Sequence, residues 1–182
     1  MTEPCPPRVS VVMAVYNGLP YLREAVESVL AQTLKELELV LVDDASTDES
    51  VACIQGYRDP RIRLWRNAHN LGQARCLNLG LSLARAPSVA RLDQDDVALP
   101  TRLERQVAVL DGQPDAAVVG TYMRGIDRRG RDMGRFGRFM ENYGTFLGSL
   151  FVGVGPLCHP SAMFRRAVVQ GLGGYDEAFA PA

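Results

Sequence analysis

The sequence has no Cys-x-x-Cys pair: Cys5, Cys53, Cys76 and Cys158 stand far from one another, and the lone Cys158-His159 neighbours make no cluster of metal-ligand spacing. That spacing argues against a thiolate metal cluster and leaves the thiols as reduced bystanders. An excess of one charge is also missing. Twenty Lys and Arg against 21 Asp and Glu give a net charge of −1, which argues against a general polyanion-binding surface and so against nucleic acid as a partner. The opening Met1-Thr2-Glu3-Pro4 lacks a basic stretch followed by an apolar core, so no secretory leader is expected and the chain is expected to be cytoplasmic. No apolar run reaches the ~20 residues of a spanning helix. The longest, Phe146 to Leu157, is broken by glycines; it could touch the inner face of a membrane or line an acceptor groove, but not cross.

What is present is a soluble, globular balance, 47% hydrophobic and 23% charged, in 182 residues that suit one domain. Arg8 to Val15 is a β-branched apolar run ended by Tyr16-Asn17-Gly18, which predicts a buried strand entering a loop. Pro20 suits a first helical turn, and Leu22, Ala25, Val26, Val29 and Leu30 recur at helical spacing up to about Gln32. The alternation repeats. Strands are predicted at Leu37–Val42, Ile62–Trp65 and Ser88–Leu92, and helices over about 48–57, from Asn70-Leu71-Gly72 to Ala84, and after Pro100. Ser46 and Glu49 have capping-box spacing. After Gln113 the pattern weakens: 116–126 reads as extended, 127–130 as a hairpin turn, 140–151 as helix, 161–164 as strand and 165–169 as a short helix.

Strands alternating with helices imply a mostly parallel α/β sheet, because a right-handed helical crossover returns the chain to the same end of the sheet. Ligands of such sheets bind outside the carboxyl ends of the strands. That edge receives Tyr16, Asn17, Asp43, Asp44, Asp93, Asp95 and Asp96. Five carboxylates gathered there would repel one another, and a divalent cation such as Mg²⁺ or Mn²⁺, held by one or two carboxylates and a substrate's phosphates, would relieve that. Each acidic group also has a plain reading as a helix cap or turn residue. His159 and Arg165-Arg166 suit a metal or diphosphate chemically, and equally a satisfied loop. Arg128, Arg129, Arg131, Arg135 and Arg138 form a basic run that reads as a solvated hairpin.

Six ordered stretches carry a resemblance: Val9 to Asn17, Ser28 to Thr33, Val42 to Asp48, Asn70-Leu71-Gly72-Gln73-Ala74-Arg75, Leu92-Asp93-Gln94-Asp95-Asp96, and His159 to Arg165. Together they make the sequence resemble the family 2 glycosyltransferases. The resemblance implies a GT-A fold, a Rossmann-like mostly parallel sheet flanked by helices with a less regular acceptor-side region. It implies a nucleotide-sugar donor, UDP-sugar favoured, a glycan, lipid-linked or other hydroxyl acceptor, Mn²⁺ or Mg²⁺, and inversion by single displacement. It also implies roles: the Ala14 backbone, Tyr16 and Asn17 beside the nucleotide, Asp44 on the base's ring N–H, Arg75 near base or phosphates, Asp93 on ribose or sugar, and Asp95 on the metal with Asp96 as its substitute; Asp93, one residue away from Asp95, and His159 are further candidate metal ligands.

The family's catalytic base usually follows a Gly-Gly-Tyr/Phe-Asp-Glu segment. Here Gly173-Gly174-Tyr175-Asp176-Glu177 is followed only by residues to Ala182. The expectation is therefore a single domain, 8–113 binding the donor and 114–182 forming part of the acceptor side, with the base beyond Ala182 unless Asp176 or Glu177 replaces it. Two other readings compete: a non-catalytic nucleotide-sugar-binding module, and a nucleotidyltransferase, although Val15-Tyr16-Asn17-Gly18 is not the glycine-rich basic loop expected of the latter.

Overall fold

A computed structural model describes residues 6–136 and 157–178. β1 (Val9–Val15), β2 (Leu37–Asp43), β3 (Ile62–Arg66) and β4 (Ser88–Arg91) are mutually parallel, with α1 (Leu22–Leu30), α2 (Ser50–Gln55) and α3 (Gln73–Leu83) as crossovers. α4 (Arg102–Gly112) follows, then β5 (Val118–Val119), the hairpin β6 (Met123–Ile126) and β7 (Asp132–Phe136), a 3-10 turn at His159–Ser161, β8 (Met163–Arg165) and α5 (Arg166–Gly171). The main sheet has the order β3-β2-β1-β4-β8-β5, and β8 runs antiparallel to both β4 and β5. A mostly parallel α/β sheet flanked by helices is thus the fold, as the alternation predicts.

β2 is buried at every position, because helices cover both faces of the sheet. The pleat sorts the side chains of β1: Val9, Val11, Met13 and Val15 join the α1 and α4 stripes, while Val12 joins Cys76, Leu77 and Leu81 of α3. Each fully buried Leu or Val contributes about 1.5–3 kcal/mol. α3 can approach β1 closely at Gly80, where a Cβ would stand 2.3 Å from Val12 Cγ1.

The connections leave β1 in opposite directions. After β1 the chain moves outward through β2 and β3, then returns to place β4 on the other flank of β1. A crevice therefore opens at the carboxyl ends of β1 and β4, the switch point of the topology.

Several local expectations change. α2 begins at Ser50 with Glu49 before it and no side-chain cap, so the capping box is not formed. Ser46 instead accepts from Asn17 N at 3.0 Å and Ser50 from Gly18 N at 2.9 Å, so both hydroxyls brace the loop after β1. Pro20 precedes α1, after a cis Leu19–Pro20 bond, rather than entering its first turn. The 116–126 stretch splits into β5 and β6, because β6 leaves the main sheet to pair with β7. Ser161 falls in the 3-10 turn, its hydroxyl bonded to Cys158 O at 2.7 Å, so β8 starts two residues late. The helix expected over 140–151 lies outside the described residues. Among the described residues no helix is long and apolar enough to cross a membrane.

Candidate functional site

The crevice beyond β1 holds about 460 Å³. Ala14, Val15 and Tyr16 form one wall, Asp44 with Gly72, Gln73 and Cys76 another, and Asp93, Gln94 and Asp95 a third. Chain topology alone brings these segments together, since each follows or ends a parallel strand or opens a helix.

Asp44 is 3% exposed, and both its oxygens are engaged. Oδ1 accepts from Asn67 Nδ2 and Leu71 N, each at 2.8 Å, and Oδ2 from Gly72 N at 2.8 Å. Burial pushes its pKa up, but these hydrogen bonds prevail and hold the carboxyl below its ordinary value. The same burial, with Asp44 beside it, pushes the Cys76 thiol up to about 12, so it stays protonated. Gly72 adopts φ +87°, a conformation that L side chains rarely adopt, and this turns its N–H onto Asp44. Asp44 thus ties the end of β2 to the start of α3 while lining the crevice.

The acidic turn after β4 is built from three unlike carboxylates. Asp93 Oδ1 meets Arg91 Nη2 at 2.5 Å and accepts from Gln73 Nε2 at 3.4 Å. Asp95 is exposed, lines the crevice, and makes no ion pair or hydrogen bond among the described residues. Asp96 is partly buried and outside the crevice lining, its pKa pushed up to about 6 by burial first and then by Asp93 and Asp95, against Arg91 and Arg102. Gln94 turns back to the loop after β1, accepting from Tyr16 N at 2.9 Å and donating to Tyr16 O at 3.1 Å.

Arg91 and Arg102 set two cations against the acidic turn. Both are buried beneath the turn, and Arg102 Nη2 donates to Arg91 O at 2.7 Å. Burial pushes the Arg102 guanidinium down to about 10, with Asp96 opposing and Arg91 adding to the shift, which leaves it cationic at neutral pH. Two guanidiniums therefore offset much of the repulsion that the sequence alone assigned to a cation. Among the described residues, no three His, Cys, Asp or Glu side chains converge to hold an ion by themselves. The hard oxygens of Asp95 still suit Mg²⁺ or Mn²⁺ if a ligand's phosphates complete the shell.

Other expected residues stand outside the crevice lining. Asn17, at φ 49°, accepts through Oδ1 from Thr47 N at 2.8 Å and braces two loops. Asp43 is fully buried rather than at the rim, near Arg66 Nε at 3.4 Å. Arg75 pairs with Glu177 at 3.0 Å, and Asp176 accepts from Ala178 N at 2.9 Å as a turn residue. His159 Nε2 lies 3.2 Å from the Tyr175 hydroxyl. Its pKa is pushed down to about 4 by burial and then by Arg91, with Asp93 opposing. Arg165 and Arg166 bond backbone carbonyls, Arg165 Nη2 reaching Leu110 O at 2.6 Å and Arg166 reaching Ala84 O.

Besides Arg102, three contributors were not named from the sequence. Arg91 carried a signal: it is the only charge in the apolar run 88–92, where a buried strand normally excludes one. Asn67 and Asn78 carried none, being polar residues in a loop and on a helix. Asn78 pins the Gly-Gly-Tyr-Asp-Glu segment to α3, accepting from Tyr175 N at 2.8 Å and donating to Tyr175 O at 2.9 Å.

Residues 10–173 match the family described as Glycosyl transferase family 2. A putative glycosyltransferase, EpsE, of Bacillus subtilis is 38% identical over 172 residues, covering 93% of this chain and 60% of its own length. An uncharacterized glycosyltransferase of Methanocaldococcus jannaschii is 33% identical over 179 residues, covering 94% of this chain and again 60% of the relative. This chain thus spans about three fifths of the length of these curated relatives. Among solved structures, S. aureus TarS 1-349 in complex with UDP superposes with a TM-score of 0.77 at 24% identity, covering 96% of this chain and 52% of that one. The mannosyltransferase PcManGT from Pyrobaculum calidifontis, in complex with GDP-Man and Mn²⁺, superposes with a TM-score of 0.71 at 23% identity, covering 95% and 48%. The structural matches agree with the mostly parallel sheet, and the family match with the sequence relatives shows descent: the chain belongs to glycosyl transferase family 2.

Proposed function

We propose that the crevice beyond β1 and β4 binds a nucleoside-diphosphate sugar, UDP-linked, as the donor site of an inverting, metal-assisted glycosyltransferase. The observation that carries this is the convergence of Asp44, Asp93 and Asp95 on one crevice at the topological switch point. The exposed Tyr16 ring and the Ala14 backbone would flank the base, and Asp44 would accept its ring N–H, which favours uracil over a base without that donor. Asp93 would take a hydroxyl of ribose or sugar. Residues 8–113 carry all of these groups and form the donor-binding half.

Asp95, with the donor's diphosphate oxygens, would hold Mg²⁺ or Mn²⁺. When bound, that ion neutralises charge developing on the departing nucleoside diphosphate. An acceptor hydroxyl attacking the anomeric carbon must lose its proton to a carboxylate within hydrogen-bond reach. Asp176 accepts from Ala178 N and Glu177 from Arg75 and Asn78, and the reading places the base on a carboxylate outside the described residues, with Asp176 or Glu177 in its stead as the alternative. The donor complexes of TarS and PcManGT support nucleotide sugars as the ligand class.

A thermal-shift screen of UDP-, GDP- and ADP-linked sugars with Mn²⁺ tests the reading. A ligand at a hundred times its dissociation constant stabilises by about 2.7 kcal/mol. UDP-sugars should raise the melting temperature most; a stronger response to ADP-linked sugars, whose base lacks a ring N–H donor, would contradict the assignment of Asp44, and a stronger response to GDP-linked sugars would contradict the choice of uracil.

A further inference from the structure

Arg91 ends β4 with a side chain only 3% exposed. A guanidinium at that depth is expensive unless its donors are matched. Among the described residues they are not: Nη2 meets Asp93 Oδ1 at 2.5 Å, while Nε and Nη1 are buried without a hydrogen-bond partner there. Its side chain also borders a narrow apolar crevice lined by Val12, Leu77, Leu81, Val89, Phe164 and Tyr175, a setting that a methionine would fill at lower cost. Among the described residues the one direct polar contact of its side chain is Asp93.

That contact has a geometric consequence. Oδ1 of Asp93 is taken by Arg91 and Gln73, whereas Oδ2 has no partner among the described residues and its side chain lines the crevice. We propose that Arg91 is a positioning residue, a buried clamp that fixes one oxygen of Asp93 so that the other is presented to a hydroxyl of the bound nucleotide sugar. The inference rests on the donor-site reading. A freely rotating Asp93 would offer its carboxylate in many orientations and lose the pre-organisation that makes a single hydrogen bond effective. The hydroxyl could belong to the ribose or to the transferred sugar, and the probes below separate the two.

The test is a double-mutant cycle of Arg91→Met and Asp93→Asn, read by calorimetry with UDP and with UDP-GlcNAc in Mn²⁺. Removing an outer partner that orients a binding group typically costs about 10- to 100-fold, and Arg91→Met should weaken binding within that range. A loss for both ligands assigns the ribose, and a loss for UDP-GlcNAc alone assigns the sugar. In the Asp93→Asn background Arg91→Met should cost little more, because with Arg91 holding the amide oxygen only the Nδ2 donor, not a carboxylate oxygen, faces the hydroxyl. Arg91→Lys, which keeps the charge but not the fork, should recover part of the affinity; if the Met variant fails to fold, the same cycle is read with Lys. Wild-type affinity in Arg91→Met, or a loss that adds to that of Asp93→Asn, overturns the clamp and leaves the donor site standing. Failure of the wild-type chain to bind either ligand overturns both.

Discussion

The side-chain amide of Gln94 pairs with the backbone of Tyr16 as a neighbouring strand would, accepting from its N–H at 2.9 Å and donating to its carbonyl at 3.1 Å. The middle residue of the acidic turn therefore staples that turn to the loop carrying the aromatic wall. Gly18 makes room for it: a Cβ there would approach Gln94 Oε1 to 2.8 Å.

Gln94→Ala should cost about 1 kcal/mol, since the two bonds are partly exposed and each is worth about 0.5–1.5 kcal/mol net, and should lower Tm by about 2–4 °C. UDP affinity should fall more than stability does, because Tyr16 loses its anchor. Differential scanning fluorimetry with and without UDP separates the two effects.

Gly80→Ala sets two terms against each other. Helix propensity favours Ala by about 1 kcal/mol, and overpacking typically costs about 1–3 kcal/mol. The new Cβ would lie 2.3 Å from Val12 Cγ1 inside the core, so overpacking should win by about 1 kcal/mol or more. At Gly112 a Cβ meets nothing within 4 Å, and Gly112→Ala should be neutral or slightly stabilising. Urea denaturation of the pair reads both signs.

Asp44→Asn should damage fold and binding together. It removes a charge that accepts from Asn67, Leu71 and Gly72, and hydrogen bonds to charged groups are worth about 1.5–3 kcal/mol each. A loss of at least about 2 kcal/mol in chemical denaturation is expected. Retained stability would show that the end of β2 and the start of α3 are held together by something other than this carboxylate.

Two groups pull stability in opposite directions with pH. Asp96, raised from 3.8 to about 6, adds stability that is complete below its unfolded value and is lost as pH rises through about 6. His159, lowered from 6.5 to about 4, adds stability that is complete above 6.5 and is lost as pH falls through about 4. Asp44 and Glu38, both shifted downward, act mainly below about pH 5. Between about pH 5 and 6, in EDTA, Asp96→Asn should therefore grow more stable as pH rises and His159→Gln less stable. Urea midpoints across that window check the signs; equal slopes in the two variants would refute them.

The sheet was legible in the sequence wherever an apolar run was long enough to be buried on both faces, as in β1 and β2. It was less legible in β5, two residues whose pairing depends on β8 more than forty residues away. The acidic turn was visible as a motif, but the division of labour within it was not, because that division depends on what lies beneath. Arg91 and Arg102 approach the carboxylates from a strand end and from a later helix, and no spacing in the chain announces that meeting. The capping box at Ser46 and Glu49 failed for a similar reason: the Asn17 amide, 29 residues earlier, claims the hydroxyl.

The central claim is that Asp95 and a donor's diphosphate share a metal in the crevice beyond β1. Calorimetry of UDP against wild-type chain and Asp95→Ala, each with Mn²⁺ and with EDTA, tests it most directly, since Asp95 has no bonds among the described residues whose loss would disturb the fold. Binding in the wild type should require Mn²⁺ and should be lost in Asp95→Ala at unchanged Tm. UDP binding that is indifferent to both the metal and the substitution, or no binding at all, would contradict the claim.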